Sequence, residues 1–375
     1  MSSPIARIAD HKEVIVCAGA GGVGKTTIAA AIAVKAASDG KKVAVLTIDP
    51  AKRLASSLGL KVLTNDPRKV TSRKFTTAGI DLAGEMYAMM LDTRSTFDDV
   101  VMRYAPSQQQ AETILANRFY KNIAGALSGT QEYMAMEKLY ELHADGGYDL
   151  IVIDTPPTRN ALDFLDAPRR MIDFFDSRVL KWLIIPYTKG GGGLVRVANI
   201  AAATFLKIVQ RIVGAEVLQD TAEFFGNLQG MYEGFKERAD EVAKLLRSNV
   251  TSFVVVTSPA AESVEEASFF ATRLNESDLP FGALVVNRVH PRFGDEIPVQ
   301  PRLLHRLEQG TEDQELLARL LDNYEAFMRV VTLEERNLAS LSRKVPRHNW
   351  VRVPYLEREA VDLPGLWAVA EQLYA

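Results

Sequence analysis

The stretch Val14 to Ser38, VIVCAGAGGVGKTTIAAAIAVKAAS, constrains this chain more than any other. Within it Gly19, Gly24, Lys25 and Thr26 fit the G-x-x-x-x-G-K-[ST] spacing of a phosphate-binding loop. Small residues let the backbone fold tightly round an anion, so that N–H groups along Gly21, Gly22, Val23, Gly24, Lys25, Thr26 and Thr27 turn towards phosphates. Lys25 supplies a point charge for the β- and γ-phosphates and Thr26 a hydroxyl for Mg²⁺. The helix starting there aims the positive end of its dipole at the same anion. A flexible glycine-rich turn would contain similar letters, but the flanks argue against it. Val14 to Ala18 reads as an apolar strand, and a helical pattern with Ile28, Ala31, Ile32 and Lys35 runs on to Gly40 as the C′ residue.

A strand–helix rhythm continues down the chain. Val43 to Ile48, Met86 to Leu91, Leu150 to Ile153, Phe253 to Val256, Ala283 to Val286 and Trp350 to Val353 read as strands, the last stopped by Pro354. Helical patterns lie between them, which predicts a parallel sheet covered on both faces. Asp49 follows the second of these runs, at the strand end where α/β sheets bind ligands. It could equally cap a helix from Lys52 onward, and local sequence leaves both roles open. Asp154 ends the run Leu150 to Ile153, the Walker B arrangement in which a carboxylate helps hold hydrated Mg²⁺. Thr93 to His143 and Asn160 to Gly214 read as helical, the second broken by Pro186 and by Lys189 with Gly190 to Gly193. That glycine run is read as a connector rather than a second anion loop, because no strand precedes it. Thr130 and Gln131 lie just before a helical face of Tyr133, Met136, Leu139 and Tyr140. Further helices are expected over Glu216 to Leu246 and Glu262 to Leu274. Thr311 and Gln314 form a capping box for a helix with Leu317, Leu320, Leu321, Tyr324, Phe327 and Val331 on one side.

Composition narrows the function classes. The 375 residues suffice for one large α/β domain with insertions, or for two domains. A net charge of −3 offers no bulk electrostatic hold on nucleic acid. The single cysteine, Cys17, excludes a disulfide framework and a Cys₂ or Cys₄ metal site built within the chain, and reads as a small buried residue. The five histidines show no paired ligand spacing. No apolar run approaches the roughly 18 residues needed to cross a bilayer, and MSSPIARIADHKE lacks the apolar core of a signal peptide, so a cytoplasmic protein is expected.

GAGGVGKTT, TIDPAKRL, DTPPTRNALDFLDAP, VVNR and VPYLERE before DLPGL, in this order, resemble the ArsA-like ATPases. That family includes arsenite-pump ATPases and the ATPase that targets tail-anchored membrane proteins. SGTQEYMAMEKL is most similar to its actinobacterial branch. The resemblance implies an α/β P-loop NTPase: a doubly wound, mostly parallel sheet with an inserted α-helical subdomain. Residues 1–375 would form a single domain, with 93–145 and 160–248 as the subdomain segments. It further implies ATP hydrolysis with Mg²⁺, the nucleotide state controlling a helical region that binds an apolar protein or membrane-protein client. By the same resemblance Asp49 is the switch I aspartate that orients water, beside the metal, and Asp154 is the switch II aspartate near Mg²⁺. Asn287, with Arg288, would read adenine, while Pro354, Tyr355 and Leu356 would close over the base.

Three departures from the family pattern matter. The first lysine of GKGGVGKT, which reaches the partner subunit's phosphates, is Ala20 here, so a symmetric homodimer lacks that charge and a heterodimer with a paralogous ATPase is the preferred alternative. The zinc-binding CxxC pair and the arsenite-binding cysteine cluster are both missing. An anion-pump subunit and a nucleotide-gated scaffold with little turnover stand as further readings. Eight of the ten methionines lie between Met86 and Met231, where either core packing, the favoured reading, or an adaptable apolar surface accounts for them.

Overall fold

The computed structural model describes residues 2–48, 53–123, 130–156, 214–228, 231–293 and 312–375. Its frame is an eight-stranded sheet of β1 (Val14–Gly19), β2 (Lys42–Thr47), β3 (Arg68–Lys69), β4 (Glu85–Met90), β5 (Leu150–Asp154), β6 (Thr251–Thr257), β7 (Phe281–Val289) and β8 (Trp350–Pro354). The spatial order is β3-β4-β2-β5-β1-β6-β7-β8. Every pairing is parallel except β3 with β4. The predicted doubly wound, mostly parallel sheet is therefore the observed one.

Side-chain alternation explains the two cores. Along β1, Val14, Val16 and Ala18 face one apolar cluster, while Ile15 and Cys17 face the other. Because β1, β5 and β6 are buried at every position, they read as unbroken apolar runs. Edge strand β8 instead exposes Arg352 between buried Val351 and Val353. Helix α1 (Pro4–His11) precedes the sheet, and helix α2 (Lys25–Ser38) follows β1. Six alanines of α2 are buried, which lets its backbone lie close on the sheet. Gly40, at φ +102°, is the expected residue after its end.

Several elements differ from expectation. The helix expected over Glu216 to Leu246 is two, Ala215–Leu228 and Tyr232–Arg247, with the poor helix former Gly230 between them in sequence. β8 is the last strand as expected, and beyond it Leu363–Tyr374 forms a helix, packed on α2, for which no expectation was stated. Its start was legible in retrospect: Asp362 accepts from Gly365 N at 2.9 Å, and Pro364 occupies the first turn. The helix Glu312–Ala339 buries Val331 but leaves Leu320 exposed, so only its later part packs. Thr311 of its capping box and the glycines 190–193 lie outside the described residues. Among those residues no helix is long and apolar enough to cross a membrane.

Between β4 and β5 the chain forms helices Thr93–Tyr104, Gln108–Ala116, Arg118–Ile123 and Thr130–Ala144. These join the helices Ala215–Leu228 and Tyr232–Arg247 in extending one of the two cores, for example through Tyr120 stacked 5.7 Å from Phe224. Met86, Met89, Met134, Met136 and Met231 are buried there or in the sheet, which makes core packing their role, and Met102 is exposed. Most of the segment 160–248, from 160 to 213, lies outside the described residues.

Glu137 is a buried charge in this helical packing. It lies 3.3 Å from Arg238 and 3.6 Å from Arg103, helices away in sequence. Burial outweighs the two guanidinium groups and raises its carboxyl above the ordinary value. A carboxyl whose folded pKa is raised contributes stability that is full below the unfolded value and is lost as pH rises through the folded one. Unfolding free energy measured by denaturant from acid to neutral pH should therefore fall, relative to Glu137→Gln, as pH rises above about 4.3. Parallel pH curves for the two proteins would refute this.

Candidate nucleotide site

The loop after β1 sits where the sheet's connections diverge. From β1 the chain passes through α2 to β2 on one side, while β6, β7 and β8 extend the sheet on the other. Ligands of open α/β sheets bind at such a point, beyond the carboxyl ends of the strands. Gly19 permits the close approach on which this depends, since a Cβ there would meet Val256 O at 2.0 Å. Gly24 takes φ +95°, and a Cβ on it would lie 2.3 Å from Asn287 Nδ2. These two glycines are required by backbone shape and by neighbours on β6 and β7 respectively.

Side chains hold the loop's carbonyls. Buried Lys25 donates from Nζ to Gly19 O at 2.9 Å and to Ala20 O at 2.7 Å. Asn287 Nδ2 donates to Val23 O at 2.8 Å, and Arg288 Nη1 donates to Gly22 O at 3.3 Å. Arg288 adopts φ +61°, an uncommon value for a residue with a Cβ, directly beside the loop it contacts. The structure thus brings Gly21 to Thr27, Asn287 and Arg288 together.

Asp154 closes β5 next to the start of α2. Its Oδ2 accepts from Thr26 Oγ1 at 2.7 Å and from Thr47 Oγ1 at 2.9 Å, and the residue is buried. A hydroxyl and a carboxylate converging in this way are hard oxygen donors of the sort Mg²⁺ accepts beside phosphates and water. Behind them Cys17 is fully buried, and burial first, then Asp154, pushes its thiol well up, so it is an inert packing residue. Ala20 is also buried.

Asp49 lies outside the described residues, as does Lys52. The residue before it is held on both sides, Ile48 N donating to Asp154 O at 3.1 Å and Ile48 O accepting from Gln131 Nε2 at 3.0 Å. Gln131 and Thr47 are contacts the sequence did not single out for chemistry. The only signal was position: Thr47 ends its strand, and Gln131 opens a helix. Pro354 pairs with Val289 across β8 and β7, and Tyr355 N donates to Val289 O at 3.0 Å. Exposed Tyr355 lies 4.7 Å from the His290 ring, so the Pro354–Leu356 segment follows the same strand end as Asn287.

A parallel α/β sheet with a lysine-bearing glycine loop, a Thr–Asp pair beside it and an asparagine behind it defines a P-loop NTPase. Residues 12–333 match the family model described as anion-transporting ATPase, and the chain belongs to that family. It is similar to a candidate arsenical pump-driving ATPase 1 of Aquifex aeolicus, at 24% identity over 96% of this chain and 78% of the other. It is also similar to ATPase GET3C of Arabidopsis thaliana, at 27% identity over 78% and 73% of the two chains. ATPase GET3 of Phaeosphaeria nodorum matches at 24% over 77% and 81%.

The bond from Asn287 to Val23 O implies that this asparagine shapes the loop whatever base is bound. Asn287→Ala should weaken ATP and inorganic tripolyphosphate alike, each by about tenfold in calorimetry, the worth of one buried hydrogen bond. A loss confined to ATP would leave the residue with a base-reading role alone.

Proposed function

We propose that this ATPase binds ATP with Mg²⁺ at the loop 19–27 and couples its hydrolysis to a change in the helical region. The observation that carries the reading is the Asp154 carboxylate joined to the Thr26 hydroxyl at 2.7 Å, one residue past Lys25. Thr26 and Asp154 are the residues that would hold Mg²⁺, which supplies charge neutralisation to the phosphates when bound. Lys25 and the loop N–H groups bind and orient the phosphates, and Asn287 presents an amide to the base while its second N–H stays on the loop. In this reading Asp49 accepts a hydrogen bond donated by the attacking water and so fixes its direction, and Pro354 to Leu356 cover the base.

The client side rests on the resemblance to ATPases that target tail-anchored membrane proteins, and on a helical region joined to the nucleotide domain by a shared apolar core. The partner would be an apolar protein segment, and the working compartment the cytoplasm. An arsenical pump is a weaker fit, because one buried cysteine cannot build a soft thiolate site for a metalloid.

Lys25→Ala should weaken ATP binding by on the order of a hundredfold, since the backbone N–H groups cannot replace a full charge. Asp49→Asn should keep ATP affinity and slow turnover by a similar factor, on the order of a hundredfold, since the water loses its acceptor while the phosphate cradle is intact. Calorimetry and phosphate release separate the two. Unchanged ATP affinity in the first variant removes the loop assignment, and wild-type turnover in the second reduces Asp49 to a helix cap.

Ala20 favours a heterodimer over a self-sufficient homodimer. A cation supplied across an interface to the γ-phosphate can be worth several powers of ten in rate, and this chain carries a buried methyl group there. A paralogous subunit with lysine at that position would complete one of the two sites. Ala20→Lys in the isolated chain should raise turnover at least about tenfold, with little loss from Lys52→Ala or Arg53→Ala. Robust wild-type hydrolysis that collapses only when Lys52 or Arg53 is removed would overturn the heterodimer and make the chain self-sufficient. Negligible turnover in all of these would favour the scaffold.

A further inference from the structure

On the far side of the sheet from α2, a cleft of about 770 Å³ runs between edge strand β8 and the helix Glu312–Ala339. Alternation along β8 fixes its direction. Val351 and Val353 pack into the core that holds α2, whereas Trp350, Arg352 and Pro354 line the cleft on the opposite face. It therefore faces away from the loop helix.

Its charge is uneven. Arg292, Arg347 and Arg352 line it, opposed by Glu335, while the lining residue His290 is engaged by Glu334 at 2.6 Å. Arg352 grips Glu335 through both guanidinium nitrogens, one pair at 3.1 Å, the fork-on-fork arrangement suited to carboxylate or phosphate. The pull of Arg352, joined by Arg347 and Arg292, holds the Glu335 carboxyl below its ordinary range. All three cations thus act on the place where that one carboxylate sits. Among the described residues neither Arg292 nor Arg347 has an ion pair of its own, and Arg347 lies over the Trp350 ring at 5.9 Å from its centroid. The indole is fixed by its Nε1 bond to Val345 O at 3.0 Å, with Val289 and Val331 adding apolar wall.

We infer that this cleft is a second ligand site, separate from the phosphate loop and sharing only Pro354 with the segment assigned to the base, and that it takes a small organic anion with a planar or apolar body and a phosphate or carboxylate head. The body rests on Trp350 and the two valines. The head pairs with Arg292 and Arg347 and competes with Glu335 for Arg352, so Glu335 acts as a built-in stand-in for the ligand's anion. The size suits a molecule of nucleotide dimensions or smaller.

The test uses the full chain saturated with Mg·ADP, which occupies the loop site, and titrates phenyl phosphate and, separately, phthalate by calorimetry. Saturable one-to-one binding of at least one probe is expected, and the tighter of the two identifies the head group. Arg347→Gln and Arg292→Gln should each weaken that probe about tenfold, with ADP affinity and melting temperature unchanged. Glu335→Gln should instead tighten it severalfold, because Arg352 is released from its internal partner. That gain cannot arise from damaged folding. Failure of both probes to bind, binding indifferent to all three substitutions, or displacement of the probe by added ADP would each overturn the proposal. The last result would assign the cleft to the nucleotide, and none of these outcomes bears on whether Lys25 and Asp154 serve ATP.

Discussion

The shared bond of Asp154 with Thr26 and Thr47 is the point on which the architecture turns. Three segments end there: β5 with the carboxylate, β2 with one hydroxyl and the first turn of α2 with the other. None is adjacent in sequence to another, so only the sheet order, with β5 between β2 and β1, brings them to one place. A buried carboxylate is costly unless it is hydrogen-bonded. Here the two donors to its Oδ2 also tie the strand bearing Asp154 to the loop bearing Lys25, so part of the cost of burying the charge is offset by contacts that shape the site.

What could be read from the sequence follows from how local each determinant is. The loop was legible because its function demands contiguous small residues, a lysine and a hydroxyl at fixed spacing. Asp154 was legible because an apolar strand ending in an acid is a local pattern. Gln131 and Thr47 were not, since their roles exist only after β2, β5 and the helix Thr130–Ala144 have come together. The helix Leu363–Tyr374 is signalled only by its first turn, a capping aspartate and an early proline, and its apolar face takes meaning only once α2 lies beside it. The division of the expected helix Glu216 to Leu246 is not marked by helix propensity alone, since Gly226 and Gly234 lie inside the two helices that form.

The polar interior of the helical region shows a different balance. Glu137 faces Arg103, Arg238 and Tyr104, and Arg238 also lies 4.0 Å from the centroid of the Tyr140 ring. Apolar packing alone would let helices slide past one another, since dispersion contacts are nearly interchangeable. Directional contacts from Thr93–Tyr104 and Tyr232–Arg247 onto one carboxylate of Thr130–Ala144 fix the register of three helices. The raised carboxyl of Glu137 shows that burial disfavours its charge more than the two guanidinium groups favour it. Gln131, on that same helix, holds the carbonyl of Ile48, so the helix bearing Glu137 is also tied to the residue that follows β2.

The loop's shape is likewise set by protein groups and not left for a ligand to impose. A peptide unit is planar, with its C=O and the following N–H pointing in opposite directions. Drawing the carbonyl of Val23 towards Asn287 therefore turns the N–H of Gly24 the other way, and drawing that of Gly22 towards Arg288 does the same for the N–H of Val23. Two residues at the end of β7 thus orient two donors of an anion cradle built more than 260 positions earlier. The consequence is a loop whose N–H groups are oriented by tertiary contacts within the chain, which lowers the ordering cost that an anion bound there would have to meet. It also explains why Asn287 must be an amide at a buried position: a carboxylate there could not donate, and an apolar residue would leave the Val23 carbonyl without a partner.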